Sequence, residues 1–265
     1  MVSLVDPKLI QKCVKKLTLN PQIICLPKVD STNDEAKRRI ASGQHDELLI
    51  LADTQTRGRG RYDRTWHSPK GGLYFSLVLR PILRLDSIAL HNLLCSCAVA
   101  EALQNIGIEQ VGLKWPNDVL IAEHKIAGIL SELISLGLDD YLIVLGIGIN
   151  QNAPLSHLPE EVRFSTTSVL EHLGSITSHE ELLCNILTSI DFWLETTKSS
   201  GSFEMVLNDW KQRSATLGSR VRVDDGFRTY VGIAQDLLPD GSLLVQTEEG
   251  NLTFCIGDLI HLHQD

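Results

Sequence analysis

The segment Thr54-Gln-Thr-Arg-Gly-Arg-Gly-Arg-Tyr-Asp-Arg-Thr-Trp66 sets Arg57, Arg59, Arg61 and Arg64 against one acid, Asp63, a local charge of +3 in a chain of formal charge -9. Arginine presents a planar fork of donors that fits carboxylate and phosphate oxygens, and glycines at 58 and 60 let backbone N–H groups approach a ligand closely. Together they describe a loop that grips anions. Alone, the same composition also suits an RNA-binding Arg-Gly run or a solvated loop. A Rossmann turn is excluded because Gly-x-Gly-x-x-Gly is absent, and no Gly-x4-Gly-Lys-Ser/Thr phosphate loop occurs.

Two further segments carry candidate chemistry. In Lys114-Trp-Pro-Asn-Asp118 and Lys125-Ile-Ala-Gly-Ile-Leu-Ser-Glu132, Asn117 and Asp118 offer the oxygen ligands that Mg2+ prefers, and Lys125 can set an ammonium on a developing negative charge. Singly, a Pro-Asn-Asp turn and a strand-edge lysine are ordinary features. Gly146-Ile-Gly-Ile-Asn150 is a glycine-interrupted apolar strand, the mark of a bulge or of close approach by another group, and Asn150 can read a base edge. By itself it reads as a tight packing site.

These residues need elements to hold them. Pro7 to Leu17 is a short amphipathic stretch, and Ile23 to Pro27 an apolar run. In Val29 to Ile40, Thr32 and Glu35 have capping-box spacing, which puts Ser31 and Thr32 at a helix N-terminus, with the helix ending near Gly43. Strands are expected at Glu47 to Ala52 and Gly72 to Arg80, flanking the arginine loop. A long helix runs from Ser87, its N-cap, to Gly107. Val111 to Lys114 and a turn at Pro116-Asn117 follow it, after which Val119 to Ile121, Lys125 to Ile134 and Tyr141 to Leu145 read as strands in antiparallel pairing. Ser178-x-x-Glu181 opens a helix to about Thr197, and Phe203 to Arg213 is another. From Gly218 short alternating runs with turns at Asp225-Gly226, Asp240-Gly241 and Glu249-Gly-Asn251 predict a small β-barrel with strands at Arg220 to Val223, Thr229 to Ala234, Leu243 to Thr247 and Leu252 to Cys255.

Composition bounds the rest. A chain of 265 residues, 43% hydrophobic and 22% charged, is long enough for one main domain and a small appendage, and apolar enough for a real core. The acidic balance argues against a protein built to neutralise nucleic-acid phosphates. No apolar run approaches a membrane span and the first residues lack a secretion signal, so the expected address is cytoplasmic with no membrane partner. The cysteines sit mostly in apolar stretches and read as reduced core residues, while His261-x-His263 is weak as a metal site.

Asp30-Ser-Thr-Asn33, Gly58-Arg-Gly-Arg61, Trp66, Lys114-Trp-Pro-Asn-Asp118, Lys125-Ile-Ala-Gly128 and Gly148-Ile-Asn150 follow one another in the order and approximate spacing of the biotin protein ligases, which the chain resembles from Val29 to about Gln264. The resemblance implies an α+β fold: a mixed, mostly antiparallel sheet flanked by helices, like the class II synthetase catalytic domain (1–214), then an SH3-like β-barrel (215–265). It implies an enzyme that joins biotin and ATP into biotinyl-5'-AMP and transfers biotin to a lysine of a biotin carboxyl carrier protein, with Mg2+ as cofactor. A homodimer is compatible with it.

Carried over by position, it implies that Ser31, Thr32, Gln55, Gly58, Arg59, Arg61 and Gly128 bind biotin, and that Arg59, Trp66, Asn117 and Asn150 bind nucleotide. Arg61 and Lys125 would be catalytic, Asp118 the likeliest aid to Mg2+, and the arginine loop a lid over the reactive anhydride, mobile when the site is empty. Two departures stand out. Asp63 occupies a loop position where the family usually has glycine, suited to positive φ. Thirty residues precede the Ser-Thr motif, too few for the winged helix of members that double as repressors, so a monofunctional ligase without nucleic-acid binding is expected. The alternatives are a lipoate ligase, a biotin-sensing transcription regulator and a binding-only relic.

Overall fold

The computed structural model describes residues 5–82 and 88–262. Within them, a seven-stranded sheet runs in the order β1-β2-β3-β7-β6-β5-β4, from β1 (Gln22–Leu26), β2 (Leu48–Ala52), β3 (Leu73–Leu79), β4 (Val111–Lys114), β5 (Asp118–Ile121), β6 (His124–Gly137) and β7 (Asp140–Ile149). Only β1 and β2 pair in parallel; the other neighbours are antiparallel. Helices α1 (Pro7–Val14), α2 (Thr32–Ala41), α3 (Ile88–Asn105), α4 (Glu160–Arg163), α5 (Val169–Leu173), α6 (His179–Ser200) and α7 (Glu204–Gln212) surround it.

Strand alternation divides the core in two. On β2, Leu49 and Leu51 join the large core that includes residues of α3, α6 and α7, while Leu48 and Ile50 face the opposite way, toward Ala36 and Ile40 of α2. On β7, Ile143, Leu145, Ile147 and Ile149 enter the large core, and Leu142 and Val144 enter the α2 core. The next two positions on the α2 face are Gly146 and Gly148, so the apolar layer stops there and leaves the sheet bare. That bare patch is where a ligand can be admitted.

The second unit is a five-stranded antiparallel sheet, in the order β11-β10-β9-β8-β12, made of β8 (Arg220–Asp224), β9 (Thr229–Leu237), β10 (Leu243–Thr247), β11 (Gly250–Phe254) and β12 (Asp258–His261). Buried Trp115 fastens it to the first unit: its indole N–H donates to the Gly241 carbonyl at 3.1 Å and its backbone N–H to Thr216 Oγ1 at 3.0 Å.

Expected and observed elements differ in a few places. The N-cap of α2 is Ser31, whose Oγ accepts from the Asp34 N–H at 3.4 Å, so Thr32 is the first helical residue rather than the cap. β7 runs unbroken from Asp140 to Ile149, joining the expected strand Tyr141 to Leu145 to the glycine-interrupted strand that follows it, because β3 and β6 pair with it on both sides. β12 was not anticipated, since Asp258–His261 is short and follows an isolated glycine; pairing with β8 makes it a strand. His261 Nε2 meets Thr216 Oγ1 at 3.2 Å. The expected cap Ser87 and His263 lie outside the described residues.

Candidate active site

A cavity of about 300 Å³ opens on the bare patch. Its floor is Gly128 of β6 and Gly148 of β7, partners across the ladder. The Trp66 indole rests on them: a Cβ at Gly148 would lie 2.5 Å from Trp66 Nε1, and one at Gly128 would lie 3.1 Å from Cζ3. Lys125 Nζ stands 5.3 Å from the indole centroid and 2.6 Å from Asp118 Oδ1. Among the described residues Trp66 Nε1–H is buried without a hydrogen-bond partner. Buried donors are nearly always satisfied, so a ligand acceptor is its natural partner.

The N-terminus of α2 forms one wall. Thr32 donates to Gln55 Oε1 from both its backbone N–H (2.8 Å) and Oγ1 (3.2 Å), and Gln55 Nε2 donates to Ser68 Oγ at 2.8 Å. Gln55 therefore braces the helix start as well as lining the cavity. Asn33, 3% exposed, accepts from Ser76 Oγ at 2.6 Å and donates to the Leu130 carbonyl at 3.2 Å. A Cβ on Gly146 would sit 2.1 Å from Asn33 Oδ1, so glycine is required there.

The arginine loop folds over this floor as a short hairpin, with Trp66 N–H donating to the Gly58 carbonyl at 2.9 Å and Gly60 N–H to the Arg64 carbonyl at 2.7 Å. Tyr62 and Asp63 at its tip have φ of 52° and 57°. Asp63 thus takes the left-handed conformation that aspartate tolerates, while Tyr62 there is a strained exception.

Three of the four loop arginines already have acids. Arg57 meets Asp30 at 3.2 Å, Arg59 meets Asp34 at 2.9 Å and Glu132 at 3.0 Å, and Arg64 reaches across to Asp258 of the C-terminal sheet at 2.5 Å. Arg61 makes no ion pair among the described residues; it donates to the Gly257 carbonyl at 3.0 Å and to Tyr62 Oη at 3.2 Å. Burial pulls its pKa below the ordinary value, and does the same for Lys114 on the same cavity wall. Two cations that burial disfavours face one cavity, an arrangement that an entering anion relieves.

Of the residues singled out in the sequence, Ser31, Thr32, Gln55, Arg59, Arg61, Trp66, Asn117, Asp118, Lys125, Gly128 and Asn150 all line the cavity. Gly58 does not; it lies behind, where a Cβ would strike the Trp66 carbonyl at 2.3 Å. Sequence reasoning gave no role to Lys114, Asn33, Asp258 or the Ser165-Thr166 pair. Lys114 and Asn33 stand inside quoted motifs, whereas Asp258 and Ser165-Thr166 carry no motif signal and arrive only through folding.

A sheet with a glycine floor, capped by an arginine hairpin and met at its rim by Asp258 and Leu259 of the second unit, defines a pocket whose cations suit a small anionic ligand. Residues 25–150 match the biotin/lipoate A/B protein ligase family, and residues 216–262 match the biotin protein ligase C-terminal domain. The chain is 30% identical to the biotin--[acetyl-CoA-carboxylase] ligase of Mycobacterium tuberculosis over 248 residues, 91% of this chain and 89% of that one. It is 29% identical to the bifunctional ligase/repressor BirA of Bacillus spizizenii over 238 residues, 89% of this chain and 73% of that one. The solved biotin protein ligase from Aquifex aeolicus in complex with biotin and ATP superposes with a TM-score of 0.79 at 34% identity, covering 91% of this chain and 99% of that one. The chain belongs to the biotin protein ligase family.

Proposed function

We propose that this protein is an ATP-dependent ligase that makes biotinyl-5'-AMP from biotin and ATP and passes the biotinyl group to a lysine of a biotin carboxyl carrier protein. The observation that carries the site assignment is Arg61: alone among the loop arginines it has no acid partner among the described residues, and it lines the cavity. A carboxylate is a poor electrophile, and joining it to AMP supplies a leaving group. The repulsion between biotin's carboxylate and ATP's phosphates is the first obstacle, and Arg61, Lys125 and Lys114 would offset it in a low-dielectric pocket.

In the first step a biotin carboxylate oxygen attacks the α-phosphorus and pyrophosphate leaves. Ser31, Thr32, Gln55 and the backbone near Gly58, Arg59 and Gly128 would orient the ureido ring, and Trp66, Asn117, Asn150 and Arg59 the nucleotide. Trp66 Nε1–H then gains the acceptor it lacks. In the second step a neutral carrier lysine attacks the acyl carbon, AMP departs, and the loop excludes water from the anhydride.

Asp118 and Asn117 line the cavity with hard oxygen donors and would hold Mg2+, with Asp118 Oδ1, now 2.6 Å from Lys125 Nζ, shared between the two cations. The ion would neutralise the phosphates during transfer. We assign 1–214 to catalysis and 215–265 to a unit that supports the loop through Asp258. No helix among the described residues is long and apolar enough to cross a membrane. All six cysteines are free, in keeping with a cytoplasmic site of action.

ATP–pyrophosphate exchange with Mg2+ and either biotin or lipoate tests the reading, run beside Arg61→Ala and Lys125→Ala. Biotin-dependent exchange that collapses in both variants is expected; no exchange with biotin would overturn it. Sedimentation velocity reads the homodimer, and a gel shift at low salt reads nucleic-acid binding, which is not expected.

A further inference from the structure

We propose that Glu132 is a positioning residue that ties the two walls of the pocket together. It lies on β6, behind the cavity lining, and each of its carboxylate oxygens serves a different purpose. Oε2 accepts from Asn33 Nδ2 at 2.9 Å, while Oε1 accepts from Arg59 Nη1 at 3.0 Å and Lys37 Nζ at 3.2 Å. Asn33 and Lys37 belong to α2, the wall assigned to the ureido ring, and Arg59 belongs to the arginine loop.

The α2 end of this tie is rigid. Asn33 is buried, hydrogen-bonded to Ser76 and the Leu130 carbonyl, and pressed on the bare backbone at Gly146. Moving it would strand buried polar atoms, which costs more than any single surface contact. The loop end is less buried: its tip is exposed, its turn passes through two residues of positive φ, and its further ties are hairpin hydrogen bonds and the contacts of Arg61 and Arg64 with Gly257 and Asp258. Glu132 therefore transmits the position of α2 to the loop. Asp34 completes a four-charge ring, taking Lys37 at 2.7 Å and Arg59 at 2.9 Å. Arg59, which lines the cavity and is assigned to the nucleotide, is thus fixed by two carboxylates, while Arg61 has no acid partner among the described residues.

The inference rests on the ligase reading only for its activity readout. A double-mutant cycle of Glu132→Gln, Arg59→Met and the pair separates a tie from two independent defects. Glutamine keeps the volume and an acceptor for Asn33 but loses the charge that holds Arg59. Two quantities are measured: chymotrypsin cleavage after Tyr62 in the ligand-free protein, and the biotin KM in pyrophosphate exchange. Each single variant should raise cleavage and biotin KM about tenfold, the loss of one charge-assisted hydrogen bond, and the pair should do no more than either alone. Wild-type cleavage in Glu132→Gln, or multiplied effects in the pair, would overturn the tie. Should Glu132→Gln unfold, the same cycle with Glu132→Asp, which withdraws the charge by one methylene, reads it instead. Cleavage needs no substrate, so absent biotin-dependent exchange would defeat the ligase reading while the proteolysis still decides the tie.

Discussion

Gly148→Ala is the sharpest test of the glycine floor. The added methyl would lie 2.5 Å from Trp66 Nε1 and 2.6 Å from Cε2, against the 3.4 Å at which ordinary contact begins, so the indole must retreat by 3.4 minus 2.5, or 0.9 Å. It has little room: Gly128 lies beneath its far edge, Lys125 Nζ stands 5.3 Å from its centroid, and its backbone N–H is bound to Gly58. Overpacking of this kind costs about 1–3 kcal/mol. Because β7 pairs normally on both sides, the strain falls on the hairpin and the nucleotide site rather than on the sheet. The ATP KM in pyrophosphate exchange should therefore rise roughly 5- to 140-fold, at 1.4 kcal/mol per factor of ten, while thermal stability changes by only a few degrees. An ATP KM within twofold of wild type would refute the reasoning, and so would a collapse in stability with KM unchanged.

Arg61→Ala should lower kcat by about 10² to 10³ with the fold intact, as for removal of one preorganised charge stabiliser, checked by exchange kinetics and circular dichroism. Asp258→Asn removes the acid partner of Arg64 and should speed chymotrypsin cleavage after Tyr62, more at low salt than at high. The hydrogen bond from Arg38 holds the Asp30 carboxyl well below its ordinary 3.8, and Asp34 is also lowered, burial opposing but Lys37 and Arg59 outweighing it. Both carboxylates therefore contribute stability that is full above the unfolded value and is lost as pH falls through the folded one; urea midpoints should drop below about pH 4, and Asp30→Asn should flatten that fall. The Cys13 thiol, half-buried beside Cys184, is drawn below its ordinary value while burial pushes Cys95 up to about 12, so iodoacetamide should label Cys13 ahead of Cys95.

Local order was legible in the sequence because it depends on neighbours along the chain. Ser178 caps α6 by accepting from the Glu181 N–H, and β2 runs from Leu48 to Ala52, inside the apolar run expected to be a buried strand. The bare glycines of β7 announced close approach without naming what approaches, since a missing Cβ carries no record of its visitor. Folding supplied Asn33 at Gly146 and Trp66 at Gly148. Likewise the four arginines were visible as charge, but their division was not. Which of them meets an acid depends on Asp30, Asp34, Glu132 and Asp258, and Asp258 stands 194 residues beyond Arg64. Residue types and short spacings set the chemistry available to this protein. Only the tertiary structure, by bringing Asp30 from just before α2 and carboxylates from α2, β6 and β12 to three of the arginines, decided that Arg61 keeps its charge for the cavity.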